Sequence, residues 1–312
     1  MRGLKYYILL YVKGVCMGVA DVVPGVSGGT IAFITGIYDE LLHSIKAIDR
    51  DAIILLRRDG FREFWSKVNG NFLLVLLLGV VTSLILLARV TMYLLLHHPI
   101  FVLSFFFGLI LISVPLVLRE IKKWNIAAIF AILLGIAITY GIGRLSPMES
   151  PDALWFVFLV GLLAVCAMFI PGLSGVLVLV LLGKYQFIAR SLLDFNLPVI
   201  LVLLAGCAVG LVGFSRFLTW ILDNYHTTTV ALLAGFMLGS LNKVWPWREA
   251  FEFVTNSKGE QIPVFDKSIL PWDYFATTGK DPLVFQAILM MALGVFIIVL
   301  IEKIASRLKT KI

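Results

Sequence analysis

Apolar residues in this chain come in long runs rather than in the alternation of a strand or the stripe of a soluble helix. Residues 72–96, 100–118, 126–143, 198–222, 229–243 and 283–301 are almost continuously hydrophobic. A helix needs about 20 such residues to cross the hydrocarbon core of a bilayer. The pattern therefore predicts six crossing helices, with 229–243 short and with 72–96 and 198–222 long enough to cross at a tilt. Two further apolar segments, about 6–38 and 154–190, fit no single helix. Each is broken by the same Pro-Gly-x-Ser-Gly, in 20-ADVVPGVSGGTIAFITGIY-38 and in 167-AMFIPGLSGVLVLVLLGKY-185. Proline lacks the amide hydrogen that would continue the first helix, and Ser27 suits the cap of a new one. Both segments are expected to be helical hairpins that enter and leave the membrane on one side, turning at Pro24-Gly25 and Pro171-Gly172.

The two hairpins align under a shift of 147 residues. Gly14 falls on Gly161, Ala20 on Ala167, Pro24 on Pro171, Ser27 on Ser174, Gly28 on Gly175, Gly36 on Gly183, Tyr38 on Tyr185 and Ser44 on Ser191. Further on, a shift of 127 places Gly79 on Gly206, Arg89 on Arg216, Gly108 on Gly235 and Ser113 on Ser240. Each half then holds one hairpin and three spanning helices. Three is odd, so the halves run in opposite senses. The expected fold is an all-α polytopic membrane protein built as an inverted repeat, with halves 1–150 and 151–312. Transporters of that build carry their sites at the repeat interface near mid-membrane. Gly14–Gly18, Gly206–Gly210 and Gly235–Gly239 have the GxxxG spacing of close helix packing.

Composition supports a membrane chain: 60% of the residues are hydrophobic and 14% charged, with mean hydropathy +1.00. Soluble domains are about half apolar and a quarter charged. The net charge of +7 bears on topology first. Loop 39–71 carries Lys46, Arg50, Arg57, Arg58, Arg62 and Lys67 and is expected on the cytoplasmic side. Its piece 61-FREFWSKV-68 is amphipathic and suits the membrane surface. The N-terminus, with Arg2 and Lys5, reads as retained and cytoplasmic. The basic loop 119–123 and the tail with Lys303, Arg307, Lys309 and Lys311 fall on the same side. Loops 144–153 and 244–282 fall outside. No basic, aromatic-interleaved domain supports nucleic-acid binding. Cys16, Cys166 and Cys207 have no metal spacing, and the four histidines are scattered, so no metal site is expected.

A helix that starts inside a bilayer has amide hydrogens to satisfy, and an anion suits them. Ser27, Gly28, Gly29 and Thr30, with Ser174 and Gly175, are thus candidate ligands for a phosphate or carboxylate, although a plain capped turn explains the motif as well. Arg89 and Arg216 lie within apolar runs, where a cation needs a partner, a wet cavity or the nearer interface. Guanidinium suits phosphate through two parallel hydrogen bonds. Asp21 has Met168 as its repeat mate, so the turn itself does not require an acid there. It is a candidate for coupling to H+ or Na+, or else a partner for Lys13 or for free amides.

At these motifs the chain resembles the bacterial polyprenyl-phosphate transporters. ADVVPGVSGGTIAFITGIYDELL and the second PGLSG...LLGKY carry the resemblance, which extends over nearly the whole chain. It implies a cytoplasmic-membrane protein that returns undecaprenyl phosphate from the outer to the inner leaflet, with no cofactor and with lipids as its partners. By motif it implicates Asp21, Pro24, Gly25, Ser27, Gly28, Gly29, Thr30, Pro171, Gly172, Ser174 and Gly175. An undecaprenyl-pyrophosphate phosphatase also has a Pro-Gly-x-Ser stretch. That chemistry wants an arginine after the serine and paired glutamates, whereas Gly28 and Gly175 stand there. A small-anion transporter is the other alternative.

Overall fold

A computed structural model describes residues 3–23, 26–255 and 261–309. Pro24 and Gly25, expected at the first turn, lie outside the described residues, as do Arg2 and Lys311. The first hairpin is α1 (Leu4–Val22) and α2 (Gly28–Ile34), followed by α3 (Tyr38–Lys46). Two short helices, α4 (Arg50–Arg58) and α5 (Phe61–Lys67), lead to α6 (Gly70–Leu86), α7 (Ala88–His97), α8 (Pro99–Leu118) and α9 (Ile126–Ile142). The second hairpin is α10 (Leu154–Phe169) and α11 (Gly175–Leu181), followed by α12 (Tyr185–Leu193) and the long α13 (Leu197–Ser240). Strands β1 (Arg248–Thr255) and β2 (Gln261–Ser268), then α14 (Pro271–Thr278) and α15 (Val284–Lys309), complete the chain.

Local sequence explains the breaks. Ser27 caps α2, Asp49 caps α4 and Asn125 caps α9, each accepting an amide hydrogen three residues on. The short α2 and α11 both stop just before a glycine with left-handed backbone, Gly36 at φ +69° and Gly183 at φ +65°. Glycine takes that conformation without a Cβ clash. α11 and α12 repeat the bounds of α2 and α3 at an offset of 147 residues at both ends.

Packing repeats as well. A Cβ added at Gly14 would strike the Leu76 carbonyl, and one at Gly161 the Leu203 carbonyl; Gly79 faces Tyr11, and Gly206 faces Phe158. These positions keep the offsets of 147 and 127. α1 thus lies backbone-close against α6, as α10 does against α13. Farther along, helices from before and after residue 150 pack together. Gly235 on α13 meets Ile132 on α9, while Gly108 on α8 meets Met291 on α15. The three GxxxG pairs are packing glycines, as expected: each faces a helix backbone or side chain at a distance that leaves no room for a Cβ.

The structure departs from the sequence reading in three places. The run 72–96 is not one helix but breaks at Leu87 into α6 and α7. The runs 198–222 and 229–243 share α13, interrupted at Tyr225 (φ −132°, ψ 44°). His98, its counterpart between α7 and α8, has nearly the same backbone (φ −134°, ψ 49°). Loop 244–282 is not merely a loop: β1 and β2 pair antiparallel, with Arg248 opposite Ser268. The architecture is all-α apart from this hairpin, which follows two tryptophans that pin its base. Trp245 Nε1 donates to the Ile269 carbonyl and Trp247 Nε1 to the Pro282 carbonyl.

Among the described residues, α8 and α13 are each long and apolar enough to cross a membrane alone. α5 with α6, bent by 72°, and α11 with α12, bent by 108°, meet the same test as broken pairs. α9, α10 and Val284–Leu300 of α15 are shorter apolar helices. The exposed side chains on these helices are largely Leu, Ile, Val and Phe, as a lipid-facing surface requires.

Candidate functional site

The tips of the two hairpins meet. Thr30 Oγ1 accepts the Gly172 amide hydrogen at 3.0 Å, and Ser27 Oγ reaches the Ile170 carbonyl at 3.4 Å. Tyr38 donates its hydroxyl to the Phe169 carbonyl at 2.7 Å. Gly29 lies so close to the Met168 carbonyl that a Cβ would collide with it. The join is therefore made of one hairpin's hydroxyls and glycine on the other's backbone. Ser27 and Thr30 are fully buried, and Gly28, Gly29, Ser174 and Gly175 are buried with them.

The start of α2 is satisfied from within. Asp21 Oδ1 accepts the Gly28 amide hydrogen at 2.6 Å, and Ser27 Oγ accepts that of Thr30 at 3.2 Å. The sequence reading offers these donors to an anion and Asp21 to free amides or Lys13; in this structure the Asp21 carboxylate holds the first of the donors. A Cβ on Gly28 would lie 2.7 Å from Asp21 Oδ2, so the glycine is what lets the carboxylate come in. The second hairpin has no such arrangement: Ser174 makes no side-chain cap, and Met168 packs beside Gly175. Gly172 turns with φ +88°, its Cα facing the Phe236 carbonyl and Ser240 of α13, and Pro171 is buried beside it. Lys13 donates to the Thr35 carbonyl at 2.7 Å, at the other end of α2.

The arginines stand apart from the tips. Arg89 is exposed in the first turn of α7. Arg216 is exposed on α13, where Nη2 donates to the Ile48 carbonyl at 3.2 Å. Neither is joined to the tips by a hydrogen bond among the described residues. Tyr38 is a contributor that the sequence reading aligned with Tyr185 but gave no role. Lys184, also missed, is buried with Nζ on the Ser150 carbonyl at 2.6 Å and on Asp152 at 2.5 Å. A lysine beside a helix-ending glycine in an apolar hairpin was the available signal. No group of three or more metal-ligating side chains occurs among the described residues.

Comparison with known proteins agrees with the motif resemblance. Residues 17–262 match the family described as VCA0040-like, undecaprenyl phosphate translocase-like. The polyprenyl-phosphate transporter of Vibrio cholerae serotype O1 is 40% identical over 301 residues, 96% of this chain and 98% of that protein. The polyprenyl-phosphate transporter of Staphylococcus aureus is 31% identical over 264 residues, 79% of this chain and 88% of that protein. No solved structure matches the chain. Shared sequence over nearly its full length makes the chain a member of the undecaprenyl phosphate translocase-like family.

Proposed function

We propose that the protein is a flippase for polyprenyl phosphate. It moves the lipid from the outer to the inner leaflet of the bacterial cytoplasmic membrane, where the carrier re-enters peptidoglycan and envelope synthesis. In this reading the two halves are an inverted repeat, the hairpins are re-entrant from opposite faces, both termini are cytoplasmic, and the headgroup crosses where the tips meet. The observation that carries it is the polar join between Ser27, Thr30, Tyr38 and the backbone at 169–172. Unpaired polar groups are costly in an apolar interior, so these bonds hold while the tips are closed and exchange for phosphate oxygens when they part. Ser27, Gly28, Gly29, Thr30, Ser174 and Gly175 then line the path. The prenyl tail stays in lipid and needs no polar path.

Asp21 supplies a reason for coupling. Its carboxylate competes with phosphate for the Gly28 amide, and a proton or Na+ on Asp21 relieves that competition. Inward movement of an anion against an inside-negative potential costs about 2.3 kcal/mol per charge per 100 mV, which a co-transported cation offsets. The lipid is carried without chemical change. The test is purified protein in liposomes with a labelled polyprenyl phosphate on one leaflet, with and without pH and sodium gradients. Protein-dependent leaflet exchange is expected. Phosphate release from the lipid pyrophosphate would point instead to a phosphatase, and flux of a soluble anion without lipid to a small-anion transporter.

A further inference from the structure

Away from the tips, the turn after α3 borders a cavity of about 350 Å³ lined by Lys46, Asp49, Arg50, Asp51 and Arg216. It joins two parts of the chain far apart in sequence, the turn after α3 and the middle of α13. Its floor is fixed: Asp49 Oδ1 accepts from the Ala52 amide at 2.7 Å and from Lys67 Nζ at 2.8 Å. Lys67 therefore offsets one of the two carboxylates. The hydrogen bond from Lys67, the Ala52 amide and then the nearby charges hold the Asp49 carboxyl below its usual range. Of Arg216's five N–H donors, one has a protein acceptor, the Ile48 carbonyl. The Arg50 guanidinium makes no hydrogen bond or ion pair among the described residues. Lys46 has one long contact, 3.7 Å to Asp223.

Repetition within the chain separates fold from function here. At an offset of 147, Asp49 corresponds to Asn196, which caps its helix through Val199 as Asp49 does through Ala52. The cap is thus a structural need met in both halves. Lys46 and Arg50 correspond to Leu193 and Leu197, both exposed apolar residues. Arg216 corresponds to Arg89 at an offset of 127. The fold does not call for the three converging cations, because its other half is built without them.

We propose that this cavity is a second phosphate site, on the face that bears the basic loop 39–71, and that it binds a phosphate monoester headgroup. Two guanidinium groups and an ammonium suit a compact dianion, and guanidinium pairs with phosphate through parallel hydrogen bonds. The chain that follows it suits a lipid-borne ligand: Ile53, Ile54 and Leu56 on α4 and Phe61 on α5 are exposed. Taking its ligand from the transported lipid rests on the function proposed above; the cavity's chemistry does not.

The test uses full-length protein in phosphatidylcholine nanodiscs, with farnesyl phosphate and inorganic phosphate as separate probes and affinity read by calorimetry. Arg50→Gln changes an exposed residue and Lys46→Gln a half-buried one, and unaltered melting checks their fold. Each is expected to weaken phosphate binding about tenfold or more, as loss of a charged hydrogen bond does, and Arg50→Lys to restore part of it. Weakening with both probes assigns the site to the phosphate group itself, and weakening with farnesyl phosphate alone to a lipid headgroup. Folded variants that bind both probes as the parent does overturn the proposal and leave these cations as topology signals only. Leaflet exchange by the parent protein is measured alongside. If the parent exchanges lipid and the variants bind normally, only the second site falls. If the parent binds inorganic phosphate through Arg50 but exchanges no lipid, the transport reading falls and the site stands.

Discussion

Asp21 bonds the amide of Gly28, so one oxygen and one N–H decide whether the start of α2 is open to a ligand. Asp21→Asn keeps an acceptor for that amide and removes the charge. Leaflet exchange should persist in this variant while its dependence on pH or sodium flattens, measured as initial rates across imposed gradients. An unchanged dependence would make Asp21 a helix cap and nothing more. Thr30 offers a sharper test of the tip contact. Thr30→Val has nearly the same shape but leaves the Gly172 amide without its side-chain acceptor. Stranding a buried donor costs about 1–3 kcal/mol, so the melting temperature should fall, and Thr30→Ser should recover most of the loss. A valine variant as stable as the parent would show that the tips do not depend on this bond. Ser27, Thr30 and Asp21 were legible in the sequence because polar residues stand out in an apolar run. That Asp21 could hold a free amide was legible too, but the bonds of Ser27 and Thr30 to Ile170 and Gly172 were not, because those two contribute backbone groups, which no side-chain pattern reveals.

At the scale of elements, close helix approach rests on glycines that tolerate no side chain. Gly235→Ala would drive a Cβ into the Ile132 carbonyl, whereas nothing lies within 4 Å of a Cβ at Gly141. Overpacking a tight contact costs about 1–3 kcal/mol, so the first substitution should lower thermal stability in detergent and the second should not. Equal effects would remove the argument that α9 and α13 are locked by this contact. In the polar stretch after the first hairpin, Asp49 ties α4 to α5 through Lys67. Its carboxyl is held low by that bond first and by the Ala52 amide second. A lowered acid contributes stability that is present above its unfolded pKa, near 3.9, and is lost as pH falls through the folded value. Hydrogen exchange in α4 should therefore quicken only below about pH 4, and Asp49→Asn should abolish that step. The two turns and the α2 cap were readable from Pro-Gly and Ser27, whereas the Asp49 and Asn125 caps, set in polar stretches rich in capping residues, did not stand out. The break at Leu87 was not, because 84-LILLARV-90 contains neither proline nor glycine. The strands after Trp247 were hidden by their place in a polar loop between two apolar runs.

For the whole molecule, the question is which way each half faces. The same glycine contacts recur at offsets of 147 and 127 residues, and α8–α15 and α9–α13 are matching partnerships drawn across the halves. Such a recurrence was legible in the chain as paired motifs, but which helices exchange partners was not, since long apolar runs pack equally well in many pairings. Each hairpin end is also met by a particular piece of chain. Asp223 lies near His43 and Lys46 after the first hairpin, while the Met148 amide bonds the Leu181 carbonyl at the end of α11 in the second. If the halves are inverted, these two neighbourhoods lie on opposite faces, the first with the basic loop 39–71 inside. The test is a variant with Cys16, Cys166 and Cys207 replaced, carrying single cysteines at Leu56, Lys122, Met148 or Lys280. Impermeant thiol reagent applied to intact cells should label Met148→Cys and Lys280→Cys, and should label Leu56→Cys and Lys122→Cys only after the membrane is opened. Labelling of Leu56→Cys and Met148→Cys from the same side would make the halves parallel. The hairpins would then enter from one face, and a path running from tip to tip between the leaflets would have no second entrance.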